Sequence, residues 1–376
     1  MNGASKSSSI RVAVVGAGHL GRIHAKLLPQ LDQVELVAIA DPCPSVQRSF
    51  IEGSEVAVVS DYQKIIDEID AAVIATPTRS HFEIAEYLLS RGKHVLIEKP
   101  ITDCPYQARQ LVDLAEEKQC ILSVGHVEQF NPAIRSALDV VGQPKFIQAC
   151  RASGYTYRST DIGAVYDLMI HDIDLVNTAF AGELVDCNAC GFAVFGGHED
   201  MAQARLQFSC GGVATLTASR CSFSSERSIQ IIGTDGFAAV DLANHSVKSI
   251  RYPQWLKDQS FDFNAANQEQ REFIRDNLFT EILPVEESSP DRANAILEEQ
   301  REWIECIHTG SPMRNTGTNA AEAIIIADQV LSQIEKHQWN GEHSQPAQLI
   351  PFAPQTDSLP SQLPGPLQPG KTGQAA

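Results

Sequence analysis

The sequence has 376 residues, a length that fits about two domains. Hydrophobic residues make up 43% and charged residues 20%, which is typical of a folded globular chain and excludes a largely disordered one. The net charge is −18 with no basic stripe, so we expect no nucleic-acid partner.

The sequence also favours a cytoplasmic location. No run approaches the roughly 20 apolar residues of a membrane span, so we expect no membrane partner. Residues 1–9 are small and polar, unlike a secretory signal. Nine scattered cysteines indicate free thiols in a reducing compartment. Cys187 and Cys190 form a lone CxxC without a second pair, so we expect no metal.

The first third of the chain alternates strand and helix patterns. Alternation of this kind predicts a parallel sheet with right-handed crossovers. The predicted strands are 10–15, 34–40, 71–75, 95–97 and 121–124, and the clearest predicted helices are 19–28 and 105–117.

After about residue 130 the pattern changes to consecutive strands, which favours an antiparallel sheet. A helix is predicted over 166–180, then strands over 184–195, 202–209, 213–219, 228–232 and 237–241, then helices over 294–308 and 320–334. We expect a first domain over 1–128 and a second over 129–343. Residues 344–376 are rich in Pro, Gln, Ser and Gly and predict a disordered tail.

A glycine-rich loop follows the first strand and opens the first helix. Gly16, Gly18 and Gly21 form a GxGxxG, with His19 and Leu20 inside it. The first glycine permits a tight turn, the second lets backbone approach a pyrophosphate, and the third allows close helix packing. The helix N-terminus favours phosphate. All five residues are predicted to contact a dinucleotide.

Asp41 ends the second predicted strand, 20 residues beyond Gly21. A carboxylate there accepts hydrogen bonds from ribose hydroxyls and repels the extra phosphate of NADP. Pro42, Cys43 and Pro44 follow, with no arginine to hold that phosphate, so NAD is preferred over NADP. The alternative is a glycine turn in an unrelated α/β protein, with Asp41 as a helix cap.

Two short motifs follow the next two strands of the predicted sheet. Thr76, Pro77 and His81 come after one strand, and Glu98 and Lys99 come after the next. Ligands of open α/β sheets bind at the carboxyl edge of the strands. We therefore expect all five residues to lie beside the cofactor.

Asp167 and His171 are spaced i,i+4 on a predicted helix and so project from one face. A structural interpretation is also open for each residue. A lone histidine such as His171 is more often a core residue whose hydrogen bonds are satisfied. Lys99 by itself is consistent with a surface lysine at a strand end. Asp174 shares the helix face of Asp167 and His171, but a metal site is disfavoured, because two acids and one histidine lack the usual zinc spacing.

The combination of Glu98-Lys99-Pro100, the Asp167-x-x-x-His171 helix and the glycine loop resembles the Gfo/Idh/MocA family of sugar oxidoreductases, over nearly the whole chain to about Trp339. The resemblance implies a Rossmann domain followed by an α+β domain with an open, mostly antiparallel sheet. The exposed face of that sheet commonly mediates oligomerisation, so we expect a homo-oligomer, a dimer or a tetramer. Lys99 and His171 are then expected on either side of the substrate, near the nicotinamide.

Alcohol oxidation removes a hydroxyl proton while a hydride leaves the same carbon, so a base must reach the hydroxyl. We assign His171 as that base and as a substrate contact, because imidazole titrates near neutral pH. Lys99 is assigned to stabilise the alkoxide, and Asp167 to orient these groups or contact substrate. The sequence leaves the reverse assignment of His171 and Lys99 open.

Four segments resemble the branch of the family that includes UDP-N-acetylglucosamine 3-dehydrogenases: 124–132, 167–175, 204–208 and 216–220. The resemblance implies oxidation of the sugar 3-hydroxyl to a ketone, which an aminotransferase converts to a 3-amino sugar for lipid A. Gln129 stands where this branch usually carries an arginine.

Contacts to such a sugar are predicted from polar residues near these motifs. Glu128 and Tyr157 are candidates for the sugar hydroxyls, and Arg151, Arg158 and Arg220 for the diphosphate. One alternative is a dehydrogenase of a free polyol or sugar such as myo-inositol. Another is a non-catalytic regulator that senses NAD.

Overall fold

A computed structural model describes residues 9–46, 56–156, 162–195, 197–291 and 293–337. Two sheets organise this part of the chain, one in each half. Three predictions fall outside the described residues and therefore stay predictions: those for Tyr157, for Arg158 and for the tail over 344–376.

The first sheet is parallel, as the alternating pattern predicted, with strand order β3-β2-β1-β4-β5-β6. Its strands are apolar because both faces are covered, and all four residues of β4 are buried. The strands are β1 (Ile10–Val15), β2 (Val34–Ala40), β3 (Ala57–Val59), β4 (Ala71–Ile74), β5 (His94–Ile97) and β6 (Leu122–Val124). The intervening α-helices are α1 (His19–Leu27), α2 (His81–Ser90) and α3 (Pro105–Glu117).

The direction of strand order reverses beside β1, which pairs with β2 on one side and β4 on the other. The connections that run from β1 toward β3 therefore lie on one face of the sheet, and those that run from β4 toward β6 lie on the other. A crevice opens between them, outside the carboxyl ends of β1 and β4. The glycine loop follows β1 and Thr76 follows β4, so both predicted motifs lie at this switch point.

The second sheet is open and mostly antiparallel, with order β14-β13-β12-β11-β7-β10-β9-β8. Among its described pairs, β7 with β10 is parallel and the others are antiparallel. Its strands are β7 (Pro144–Ala152), β8 (Leu184–Phe192), β9 (Met201–Phe208), β10 (Val213–Ser219), β11 (Glu226–Gly233), β12 (Gly236–Asp241), β13 (Ser246–Arg251) and β14 (Glu286–Ser288).

Helices cover one face of this sheet. Alternate residues of β9 show the two faces: Ala204 and Leu206 are buried, whereas Gln203 and Arg205 are exposed. The uncovered face is the one expected to mediate oligomerisation. A measurement of the molecular mass in solution tests whether the chain forms the expected dimer or tetramer. The remaining helices are α4 (Pro132–Val141), α5 (Ile170–Ala179), α6 (Gln254–Lys257), α7 (Gln268–Asn277), α8 (Ala295–Thr309) and α9 (Gly317–Lys336).

Helix α8 returns to the first sheet, although it belongs to the segment 129–343. Trp303 and Ile304 are buried against Val12 and Val14 of β1. The helix is capped by the Asn294 side chain, which accepts a hydrogen bond from a backbone N–H, and it ends at Gly310 in the left-handed conformation. The first sheet is thus completed by residues from both ends of the chain.

Two predicted elements differ from the structure. The helix predicted over 166–180 opens as a π-helical turn over Val165–Met169 before α5 begins. The strand predicted to reach residue 195 stops at Phe192. The chain leaves the strand after Phe192 because the N–H groups of Val194 and Phe195 donate hydrogen bonds to the Asp200 carboxylate and not to a neighbouring strand.

Candidate active site

The glycine loop has the shape that a dinucleotide requires. Gly16 has φ of +93°, and a Cβ there would lie 2.6 Å from the carbonyl oxygen of Ala75. A Cβ on Gly21 would lie 1.9 Å from the Gly16 carbonyl oxygen, so helix and loop are in direct contact. A Cβ on Gly18 would meet open space. The first and third glycines therefore serve packing, and the second leaves room for a ligand.

The start of α1 is suited to an anion. No described side chain caps this helix, and its first turn carries no acidic residue. Free N–H groups and the helix dipole remain to bind phosphate. His19 and Leu20 are exposed at this end.

Asp41 directly follows β2 and contacts the glycine loop. Its carboxylate accepts hydrogen bonds from the N–H groups of Ala17 and Cys43, each at 2.8 Å. A carboxylate at the end of the second strand also suits the ribose hydroxyls of a dinucleotide. The loop and this acid fit an NAD molecule with an unmodified adenosine ribose.

The roles of two glycines give a matched pair of predictions. Gly21→Ala is expected to lower both the melting temperature and NAD affinity, because its Cβ overlaps the Gly16 carbonyl. Gly18→Ala is expected to keep the melting temperature but to weaken NAD binding about tenfold or more, because the methyl group takes the ligand's space. Thermal melts and NAD titration by fluorescence separate the two. Equal effects of the two variants on both quantities would contradict this assignment.

Two loops at the crevice are tied together by His81. This histidine is buried, and its ring nitrogens lie 2.9 Å from the Pro100 carbonyl oxygen and 2.8 Å from that of Thr76. Thr76 and the exposed Pro77 border the crevice. His81 thus positions the loops after β4 and β5, and its direct contact with cofactor stays a prediction.

The Glu98 side chain points into the protein. Its Oε1 lies 2.8 Å from Nε2 of His24, and Gln300 from α8 lies 2.8 Å from the other ring nitrogen. All three residues are buried. This chain of contacts fixes the end of β5, where Lys99 begins. Direct binding of cofactor by Glu98 therefore stays a prediction, and the structure shows it in a positioning role.

Lys99 reaches the turn that leads to His171. Its ammonium donates a hydrogen bond to the Asp167 carbonyl oxygen at 2.9 Å and lies 3.5 Å from that residue's carboxylate. Both side chains are about one-fifth exposed. The π-helical turn that carries Asp167 runs directly into α5 and His171. Turns of this kind are frequent at functional sites.

The His171 residue is partly exposed but Nδ1 of its ring is buried, and its surroundings disfavour the charged imidazolium. Burial lowers its pKa well below the usual value, and the positive charges of Lys99 and Arg151 lower it further. The imidazole is therefore neutral at neutral pH and can accept a proton. The structure brings Lys99, Asp167 and His171 together at the carboxyl edge of the first sheet.

The arginines proposed for a diphosphate are instead paired inside the protein. Arg151 is 4% exposed and donates to Asp172 at 3.0 Å and to Glu128 at 3.1 Å. Arg220 is 6% exposed and donates to Asp200 at 2.6 Å. Their charges balance buried carboxylates, so diphosphate binding by these two residues is not supported. Glu128 as a sugar contact stays a prediction.

The described part of the chain lacks both a metal-binding cluster and a membrane-spanning helix. It contains no group of three or more His, Cys, Asp or Glu arranged to hold a metal ion. None of its helices combines the length and apolar character needed to span a bilayer.

A fold that seats a dinucleotide at a switch point, with an ammonium and an imidazole held at the same edge, defines the class of dinucleotide-dependent dehydrogenases. Comparisons with known proteins identify the family. Residues 10–126 match the oxidoreductase family with an NAD-binding Rossmann fold, and residues 134–239 match the GFO/IDH/MocA C-terminal domain.

A UDP-N-acetylglucosamine 3-dehydrogenase of Acidithiobacillus ferrooxidans is 35% identical over 241 residues, which cover 63% of this chain and 76% of that protein. A solved structure of that dehydrogenase gives a TM-score of 0.76 at 27% identity, covering 88% of this chain and 99% of the other. An inositol 2-dehydrogenase of Rhizobium meliloti is 29% identical over 255 residues, covering 62% and 76%. The chain belongs to the Gfo/Idh/MocA family and is an NAD-dependent oxidoreductase.

Proposed function

We propose that this enzyme oxidises the 3-hydroxyl of UDP-N-acetylglucosamine to a ketone with NAD. The observation that carries the proposal is the contact of Lys99 with the turn before His171, which joins a cation and a neutral imidazole beside the crevice. The relative that is 35% identical, named for this activity, supports the choice of substrate. The ketone then suits an aminotransferase, as expected for lipid A biosynthesis.

The chain's own residues supply proton removal and charge stabilisation. Bound NAD supplies the acceptor for the hydride. Neutral His171 takes the hydroxyl proton as the hydride leaves the same carbon. Lys99 faces the developing alkoxide, where its positive charge lowers the barrier. Asp167 holds the lysine through its carbonyl oxygen and its carboxylate.

A free polyol such as myo-inositol is the second candidate substrate. The internal pairing of Arg151 and Arg220 favours it, because a UDP-sugar needs cations for its diphosphate. Arg158 is a third candidate cation, and it lies outside the described residues. The inositol 2-dehydrogenase among the relatives supports the same alternative.

A substrate panel separates these candidates. We expect NAD reduction, followed by absorbance, with UDP-N-acetylglucosamine, and kcat/KM for myo-inositol lower by about two orders of magnitude. NADP is expected to be the poorer cofactor because Asp41 repels its extra phosphate. Faster turnover of myo-inositol would assign the enzyme to polyols. Binding of NAD without turnover of any sugar would support the non-catalytic regulator instead.

A further inference from the structure

A second buried imidazole lies behind His171. The ring centroids of His126 and His171 are 6.5 Å apart, and their planes cross at 86°. His126 is 3% exposed and follows β6 at the same edge of the first sheet. Within the described residues, Nδ1 of each ring is buried and has no hydrogen-bond partner. Buried polar atoms are nearly always satisfied, so two such nitrogens on neighbouring rings point to a polar partner between the rings.

Asp174 adds a third buried polar atom to this place. It is 2% exposed, and its Oδ2 accepts a hydrogen bond from Gln129 at 2.7 Å. The same oxygen lies 4.0 Å from Nδ1 of His126, which is too long for a direct hydrogen bond and short enough for one water to contact both atoms. Internal waters make about three hydrogen bonds. The two ring nitrogens and this oxygen supply three polar atoms.

We propose that His126 and Asp174 form a proton-accepting pair behind His171, linked to its buried Nδ1 by one internal water. The inference rests on the proposed function, because it concerns the proton taken from the substrate hydroxyl. In the resting site, His171 carries its proton on Nδ1 and offers Nε2 to the cleft, while Nδ1 of His126 is unprotonated.

In each turnover, one proton moves from the substrate hydroxyl through His171 and the water to His126. The substrate O–H bond breaks and an N–H bond forms at Nε2 of His171. The Nδ1–H bond of His171 then breaks, the water passes a proton on, and an N–H bond forms at Nδ1 of His126. The hydride leaves the same substrate carbon for NAD. The substrate therefore loses one proton and one hydride and becomes a ketone. After product release, the proton on His126 returns through the water to Nδ1 of His171, and Nε2 of His171 releases its proton to solvent in the cleft, which restores the resting site.

Electrostatics sets the direction of this transfer. Positive charges around His171 disfavour its imidazolium, whereas the carboxylate of Asp174 stands 4.0 Å from His126 and balances a charge there. Burial raises the pKa of Asp174, and the nearby His126 acts against that rise. The charged groups on the elements packed around these imidazoles are Lys99, Asp167, Asp172, Arg151, Arg227 and Glu128.

Kinetics with chemical rescue tests the pair. His126→Ala is expected to lower kcat about tenfold or more with little change in KM, and added imidazole is expected to restore kcat, because free base replaces the missing acceptor. His245→Asn, in the exposed turn after β12 with φ of 55°, is the control and should behave as wild type. Retention of kcat within about twofold, or no response to imidazole, overturns the proposal.

Nitrogen NMR of labelled histidines gives a measurement that needs no substrate. A positive charge on His126 lowers the pKa of His171, so His126→Asn should move the His171 titration midpoint to higher pH. An unchanged midpoint in folded His126→Asn and Asp174→Asn overturns the pair. A shifted midpoint with no turnover of any sugar would refute the proposed function while leaving the coupling of the two imidazoles intact.

Discussion

Lys99→Met is expected to lower kcat by about three orders of magnitude while NAD still binds. The ammonium donates a hydrogen bond to the turn that leads to His171, and under the proposed function it stabilises the substrate oxygen on which negative charge develops. Methionine keeps the length and apolar stem of lysine but removes the charge. Steady-state kinetics, with NAD affinity from fluorescence titration, measures the two effects separately.

Lys93→Met is the matched control for this substitution. Lys93 precedes β5, whereas Lys99 follows it, and its ammonium donates to the Ile69 carbonyl oxygen at the opposite edge of the sheet. We expect kcat within about twofold of wild type, because no substrate charge develops there. A Lys99→Met enzyme that keeps more than about a tenth of wild-type kcat, or that loses NAD affinity in step with kcat, would remove Lys99 from the chemistry.

The glycine loop and five strands of the first sheet could be predicted to within one residue, whereas the edge strand β3 was not predicted. Buried parallel strands are short apolar runs, and the loop between β1 and α1 demands glycine at fixed positions, so both signals are local. The structure places Gly16 and Gly21 where a side chain would collide with backbone. The carboxyl edge that holds Lys99 follows from strand direction alone.

The buried partners of the site could not be predicted, because they are distant in the sequence. Gln300 holds His24 across 276 residues, and Arg151 of β7 pairs with Asp172 of α5, 21 residues further along the chain. One signal was present: Asp172 and Asp174 interrupt an otherwise apolar stretch of α5. Buried carboxylates need partners, so these two acids indicated either buried cations or a polar network.

The π-helical turn before α5 shows a second limit of pattern reading. Spacing of i,i+4 placed Asp167 and His171 on one face of a regular helix. In the structure Asp167 lies in the π-helical part and His171 in the α-helical part. The two residues are still brought toward Lys99, but the detail depends on hydrogen bonds that hydrophobic periodicity does not encode.

Arg151→Met is expected to lower the free energy of unfolding by about 3 to 5 kcal/mol, because it leaves a buried carboxylate without its counter-charge. Asp172 is 2% exposed and receives two hydrogen bonds from the guanidinium, which also holds Glu128. Lys145→Met, at an exposed position near the start of the same strand, is the control, with an expected change within about 0.5 kcal/mol. Urea unfolding monitored by fluorescence measures both.

The loss in Arg151→Met should shrink as the pH falls. Burial raises the pKa of Asp172, and the charge of Arg151 opposes that rise, so removing the arginine raises the pKa further. An acid whose folded pKa exceeds its unfolded pKa costs stability above the unfolded value and regains it on protonation. The difference between variant and wild type is therefore larger at pH 7 than at pH 5. An equal loss at both pH values would mean that lost packing, and not an unpaired charge, accounts for the destabilisation.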